Sequence, residues 1–349
     1  MQQPVLSVIV STITDSLDKP WGMDFLPDGQ LLLTEKGGAL KRVDPETGVA
    51  TQITGVPVSA DIGQGGMMDV LVHPDFVNNG WIYLSYTVAD EHRNASTRVS
   101  RARLVNNELT ELQVLITAEP FFKERRHFGS RLLLDDGYLY ITIGDRGNRQ
   151  LAQRLDTLNG KVLRLTEEGA IPLDNPFVGR KEARAEIWTY GHRNPQGMAR
   201  HPVTGAIWVV EHGPQGGDEI NILKAGANYG WPLVSYGEEY GGGKIGEGTH
   251  KEGTEQPVIY WVPSIGASGM AFYQASHYPG WQPSLLVGSL KFARLNRLQL
   301  SDGGLGAETT LMADLGMRIR DVQTGPDGRI YLLAGDSSLI RLDAVVVDS

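Results

Sequence analysis

One unit recurs along this chain: an apolar run, a turn that pairs Gly with an acidic residue, Asn or Pro, and a second apolar run. It occurs at FLPDGQLLLTE (Phe25–Glu35), VLVHPDFVNNGWIYLSY (Val70–Tyr86), LLLDDGYLYITIGD (Leu132–Asp145), MARHPVTGAIWVVE (Met198–Glu211), MAFYQASHYPGWQPSLLVGSL (Met270–Leu290) and VQTGPDGRIYLLAG (Val322–Gly335). The turn glycines Gly29, Gly80, Gly137, Gly205, Gly280 and Gly328 lie 48 to 75 residues apart. Four of them follow Asp or Asn, the pairs that tight hairpins favour because they tolerate positive φ. Six hairpin-centred units at this spacing point to radial repetition. The expected class is all-β, a six-bladed β-propeller of four-stranded antiparallel blades.

The 43 glycines and 18 prolines interrupt any long helical period. Only Arg149–Leu158 spaces its apolar residues as a helix does, and a short loop helix is expected there. The Gly-rich run Tyr240–Gly248 reads as a long loop. Alternation of Leu6, Val8 and Val10 predicts a strand that closes the ring against the last blade. With no linker or low-complexity tract, residues 1–349 are expected to form a single propeller domain.

Acidic residues outnumber basic ones 41 to 32, a net charge of −9, and no basic run stands out, which argues against nucleic-acid or anionic-membrane partners. The chain has no cysteine, so disulfides, thiolate metal sites and cysteine nucleophiles are excluded together. Its first apolar stretch, Val5–Val10, falls far short of a membrane span of about 20 residues. Neither GQGG at Gly63–Gly66 nor the run Gly241–Gly246 joins a strand to a helix, as a dinucleotide or P-loop site requires. Zincin (HExxH) and serine-hydrolase (GxSxG) motifs are absent from the sequence.

Several residues carry chemistry in two possible ways. His127, just before the strand of the third unit, is either a structural histidine or a general base at the mouth where propeller loops converge. Arg193-Asn194, Lys291, Arg318 and Arg320 are either solvated, salt-bridged surface or a cationic cluster at the axis that takes an anion with several carboxylates. His212-Gly213-Pro214 followed by Gly216-Gly217-Asp218-Glu219 is either a plain Gly-Pro turn with surface acids or a loop offering carbonyl and carboxylate oxygens to a hard cation. Trp188, Trp208 and Trp231 are expected to pack the blades.

Seven motifs in order then resemble one family. They are GQGG (Gly63–Gly66), HFGSR (His127–Arg131), GHRNPQGM (Gly191–Met198), EHGPQGGDEIN (Glu211–Asn221), NYGWP (Asn228–Pro232), SLK (Ser289–Lys291) and RIRDV (Arg318–Val322). Together they are similar to the soluble dehydrogenases of sugars that depend on pyrroloquinoline quinone (PQQ), in particular the monomeric periplasmic aldose branch. The resemblance implies a six-bladed propeller in which His127 takes the proton of the sugar C1 hydroxyl while hydride passes to the quinone, giving a lactone. It implies that Gln64 borders cofactor and substrate. Arg193, Asn194, Lys291, Arg318 and Arg320 would hold the PQQ carboxylates and quinone oxygens, with Arg193 also stabilising the charge that arrives with hydride. Tyr240 corresponds to a further cofactor-pocket residue. Carbonyls of Gly213 and Pro214 would bind the cofactor Ca²⁺, and Glu219 with Tyr229 a second, structural one. A monomer in the periplasm or secreted, using a small-molecule sugar and an external electron acceptor, is implied as well.

Two departures limit the transfer. Arg126 stands where the dimeric glucose dehydrogenases of the wider family have an aspartate before the histidine, so their glucose preference does not carry over. The long insertions associated with that dimer are missing from this shorter chain, which implies a monomer; Ser130 where relatives often have Gly is a small, tolerated change. Two other functions fit the architecture: a calcium-dependent propeller lactonase, which needs a cage of carboxylates and asparagines, and a non-catalytic binding module, in which His127 is dispensable.

Overall fold

The computed structural model describes residues 5–301 and 304–347. Six four-stranded antiparallel sheets form a β-propeller, as the repeat predicts. Their first strands are Pro20–Phe25, Met67–Val72, Gly129–Asp135, Pro195–Arg200, Ala267–Tyr273 and Ile319–Thr324, and these define blades 1 to 6. Each touches the next around the axis, and Ile319–Thr324 meets Pro20–Phe25 to close the ring. Every predicted turn glycine lies in the hairpin between the first and second strands of its blade, with φ between 65° and 84°. The expectation of one domain over 1–349 also takes in residues 1–4, 302–303 and 348–349, which lie outside the described residues.

Burial follows position in the blade. Second strands such as Leu31–Glu35, Ile207–Glu211 and Ile330–Ala334 are buried along their whole length, which is why they read as apolar runs up to the polar residues at the upper ends of the first two. Outer strands such as Ala50–Gln52 are exposed. Each interface between neighbouring blades has its own apolar cluster: Leu32 with Ile82 between blades 1 and 2, Val209 with Tyr140 between 3 and 4, Tyr331 with Leu31 where 6 meets 1. Burying one such side chain is worth about 1.5–3 kcal/mol. The N-terminal strand Val5–Thr14 pairs with Ser338–Val347 as the outer strand of blade 6, so the predicted closure is present. Arg149–Gln153 forms a short 3₁₀ helix inside the stretch expected to be helical.

All six first strands break register with the second strand near their starts: at Pro20/Met23, Met67/Val70, Gly129/Leu132, Pro195/Gly197, Ala267/Met270 and Ile319/Asp321. A bulge re-aims the side chains beside it. Here the bulges bring Asp69, Arg131 and Asp321 together. Arg131 Nη1 donates to Asp69 Oδ1 at 2.8 Å, Nη2 pairs with Asp321 Oδ1 at 3.0 Å, and Nε donates to the Gln196 carbonyl at 2.9 Å. The remaining carboxylate oxygens accept Leu132 N–H and Met23 N–H. Gly22 allows the approach, since a Cβ there would lie 2.6 Å from Asp69 Oδ1. This cluster separates an upper axial cavity from a lower one of about 270 Å³ lined by Asp24, Met198 and Met270. Among the described residues no helix is long and apolar enough to cross a membrane.

Burial pushes Asp69 up to about 7 against the pull of Arg131, with Asp321 adding to the rise. Replacing Arg131 by Met leaves two buried carboxylates without their cation, and a loss of about 3–5 kcal/mol is expected from the urea midpoint at pH 8. Carboxyls raised in the fold favour it when protonated: that contribution is full below about pH 4 and is lost as pH rises through the folded value. The deficit of Arg131→Met therefore shrinks towards pH 4, and a deficit independent of pH would contradict the role given to Arg131.

Candidate functional site

The upper face is built by two sets of loops, those entering each first strand and those joining second to third strands. The first set carries Gln64, His127, Asn194 and Arg318; the second carries Lys36, Asp145, Gly213, Pro214 and Lys291. They surround a cavity of about 540 Å³ lined by Trp21, Lys36, Gln64, Asn194, Gln196, His212, Lys291, Arg318 and Arg320, among others. In GQGG the glycines serve close packing and cradle no phosphate: a Cβ on Gly65 would lie 2.7 Å from the Phe128 ring.

The cavity is cationic. Lys36 pairs with the exposed Asp61, whereas Lys291, Arg318 and Arg320 have no carboxylate partner among the described residues. Arg320 Nη1 donates to Gln196 Oε1 at 3.0 Å. Burial pulls Arg320 down to about 10, and the charges of Arg318 and Arg131 add to the shift. Like charges crowded in a low-dielectric wall repel, so this lining is paid for in stability and suits a polyanion.

At one side of the cavity, His127 N–H donates to Gln64 Oε1 at 2.8 Å. His127 Nδ1 meets Asp145 Oδ1 at 2.7 Å, and Asp145 Oδ2 accepts the indole N–H of Trp231 at 2.8 Å. Burial lowers the His127 pKa; the Asp145 hydrogen bond opposes this, while Arg193 and Arg126 add to it. Burial acts to raise Asp145, but His127 and Arg193 outweigh it and hold the group below the ordinary carboxylate value. The pair thus reads as neutral imidazole beside carboxylate at pH 7, with Nδ1 as donor and Nε2 left basic. His127, Ser130 and Arg146 all have positive φ, 57°, 87° and 57°. Three such non-glycine residues around one histidine are local strain of the kind functional sites hold, and the value at Ser130 explains why Gly suits that position.

Beside the cavity, Gly191, Arg193, Glu211, Gly213, Pro214, Glu219 and Tyr229 enclose a small void of about 20 Å³. The carbonyls of Gly213 and Pro214 accept no hydrogen bond among the described residues. Glu219 is pushed up to about 8, first by burial and then by the charge of Glu211; its carboxylate accepts one hydrogen bond among the described residues, from Asn221 at 3.4 Å. No group of three or more His, Asp or Glu side chains that could hold a metal occurs among the described residues. A hard cation here would need main-chain oxygens as well as Glu219 and Glu211.

The expected residues are therefore brought together with one difference. Gln64, Asn194, Lys291, Arg318 and Arg320 line the cavity, and His127 adjoins it through Gln64. Arg193 lies between the cavity and the smaller void: it donates to the His212 carbonyl at 3.1 Å, and its Nε has no partner among the described residues. Tyr240 does not reach the cavity lining; it is 71% exposed on its Gly-rich loop. Trp231, expected as blade packing, instead joins the site through Asp145. Trp21, Lys36, Gln196 and Asp145 were not singled out by sequence; Gln196 lies inside the NPQGM motif, and Asp145 ends the third hairpin unit as part of an acidic Gly turn.

Comparisons with known proteins agree with this geometry. The Glucose / Sorbosone dehydrogenase family profile matches residues 17–341. The chain is 44% identical to aldose sugar dehydrogenase YliI of Escherichia coli (strain K12) over 338 residues, 95% of this chain and 91% of the relative. Its fold matches the apo-form crystal structure of the soluble aldose sugar dehydrogenase from Escherichia coli with a TM-score of 0.94 at 43% identity, covering 98% of this chain and 100% of the other. It also matches the PQQ-bound aldose sugar dehydrogenase from Streptomyces coelicolor, with a TM-score of 0.80 at 28% identity and coverage of 98% and 100%.

Because the like charges of this cluster repel, Arg320→Met is expected to raise the thermal midpoint of the ligand-free chain by about 2–4 °C. Calorimetry checks this, and a lower midpoint would mean that Arg320 contributes more to packing than it costs in repulsion.

Proposed function

The chain belongs to the Glucose / Sorbosone dehydrogenase family, and we propose that it is a PQQ- and Ca²⁺-dependent aldose dehydrogenase that converts the C1 hydroxyl of pyranoses to a lactone. The observation that carries this reading is the trio Lys291, Arg318 and Arg320, unpaired cations facing one cavity beside a histidine held by a carboxylate. Such a lining suits a planar ligand with several carboxylates, and Arg193 Nε and His212 Nε2, which have no partner among the described residues, supply further polar atoms nearby. The cavity volume is in the range of small-molecule sites.

In this reading Arg318, Arg320 and Lys291 would hold the PQQ carboxylates, and Asn194 and Arg193 would hold its quinone end. The Arg193 guanidinium would supply positive charge to the quinone end of the site. Carbonyls of Gly213 and Pro214 would hold the cofactor calcium, and Glu219 with Tyr229 the second. When bound, PQQ supplies the two-electron acceptor for hydride and calcium the Lewis acid that polarises it. His127 Nε2 takes the C1 hydroxyl proton, while Asp145 keeps the Nδ1–H tautomer and stabilises the imidazolium that results. Gln64 orients the His127 backbone from the cavity wall. Tyr240, on its loop of glycines, would have to fold inward to touch the ligand. A single propeller domain acting as a monomer in the periplasm or secreted completes the proposal.

Purified chain with PQQ and CaCl₂ is expected to reduce an artificial electron acceptor only when an aldose is added; failure of PQQ to bind would remove the reading. His127→Ala should lower that rate by about 100-fold or more with PQQ binding retained. Full activity in that variant would mean that another group takes the proton; a wild-type chain that reduces no acceptor with any aldose would favour a binding module. Calcium should raise the thermal midpoint by preferential binding to the fold, and Glu219→Gln should abolish part of that rise. If Glu219→Gln leaves the calcium response intact, the second cation lies elsewhere.

A further inference from the structure

Trp231 occupies a place that packing alone does not explain. Its ring is 7% exposed, and its main chain is fixed by Trp231 N–H to the Gly191 carbonyl at 2.9 Å and by Gln153 Nε2 to the Trp231 carbonyl at 2.7 Å. Guanidinium groups lie near the ring, Arg193 at 5.3 Å and Arg149 at 5.5 Å from its centre. So constrained, the indole N–H reaches Asp145 Oδ2 at 2.8 Å. Asp145 is 1% exposed; its Oδ1 is engaged by His127 and by Gly147 N–H, each at 2.7 Å, and the indole is the one donor to Oδ2 among the described residues.

We propose that Trp231 is a positioning residue for the base, the outer member of a chain Trp231 Nε1–H, Asp145, His127 Nδ1–H that fixes the carboxylate plane and thereby directs Nε2 towards the cavity. The inference rests on the base role given to His127 above. Without the indole N–H, Oδ2 is buried and unsatisfied, which leaves the carboxylate free to rotate and makes it more basic. A more basic carboxylate holds the imidazolium more strongly, so the His127 pKa rises. The other charged or titratable groups acting on His127 are Arg193, Arg126 and His212, and a change at Trp231 removes none of them.

Trp231→Phe keeps an aromatic ring in place and deletes the donor. In the full chain loaded with PQQ and calcium, kcat is expected to fall about ten-fold with KM little changed, and the acid limb of the pH profile to move to higher pH. ¹⁵N NMR of the His127 ring in the full chain without cofactor should show the same upward shift, together with a loss of the pure Nδ1–H tautomer. An unchanged kcat, acid limb and His127 titration would overturn the proposal. Should the variant not fold, the wild-type Trp231 indole N–H resonance decides: it must titrate with the His127 midpoint, and a flat response across that range overturns the relay. Both NMR readings stand even if PQQ does not bind, which separates failure of this inference from failure of the dehydrogenase reading.

Discussion

A ring of six sheets leaves a channel down its centre, and in this molecule the channel is held by one arginine. Arg131 spans from blade 3 to the carboxylates of Asp69 in blade 2 and Asp321 in blade 6, and to the backbone of blade 4. A buried ion cluster is rarely a net source of stability compared with apolar packing. What it supplies here is a geometric reference. Because Asp69 also accepts Leu132 N–H and Asp321 also accepts Met23 N–H, four first strands in addition to that of blade 4 are fixed relative to one guanidinium. The floor of the upper cavity is set by charge and hydrogen-bond direction, which are far less forgiving than aliphatic contact.

Above this floor the molecule accepts a second electrostatic burden. Arg318 and Arg320 face the same cavity as Lys291, and Arg320 also feels Arg131 below it. The apolar clusters at the blade interfaces carry the fold, so the mouth can be electrostatically unfavourable without opening the ring. The division of labour is spatial: stability resides between the blades, while strain and like charge are confined to the loops at one end. Positive φ at His127, Ser130 and Arg146 belongs to the same pattern.

How much of this was legible in the sequence depended on periodicity. The six hairpin turns were readable because Gly after Asp or Asn has a strong conformational reason to be there, and the buried second strands because they are continuous apolar runs. Residues at the bulges were not. Trp21, Asp69, Arg131 and Gln196 sit where each first strand slips register, and period-two alternation assigns no face to such a residue. Arg318 and Arg320 share the cavity even though the register breaks between Ile319 and Asp321, where simple alternation assigns no common face. Asp145 and Trp231 are 86 positions apart, and nothing local marks their hydrogen bond. Residue chemistry alone offers Arg193, Asn194 and Lys291 as an anion site and motif resemblance supplies the ligand; that resemblance also places Tyr240 in a pocket from which its loop here holds it away.

The six first hairpins all turn at the end of the blades opposite the cavity, and several of their tips are bare: a side-chain carbon added at Gly29, Gly137 or Gly280 would meet nothing within 4 Å. The sequence has no cysteine. A single thiol introduced beside one of those tips would therefore be the sole reactive sulfhydryl in the molecule. Attached through it to an electrode or a bead, every copy would present its mouth outward, so that one end of the propeller serves as a handle while the other stays open to solutes.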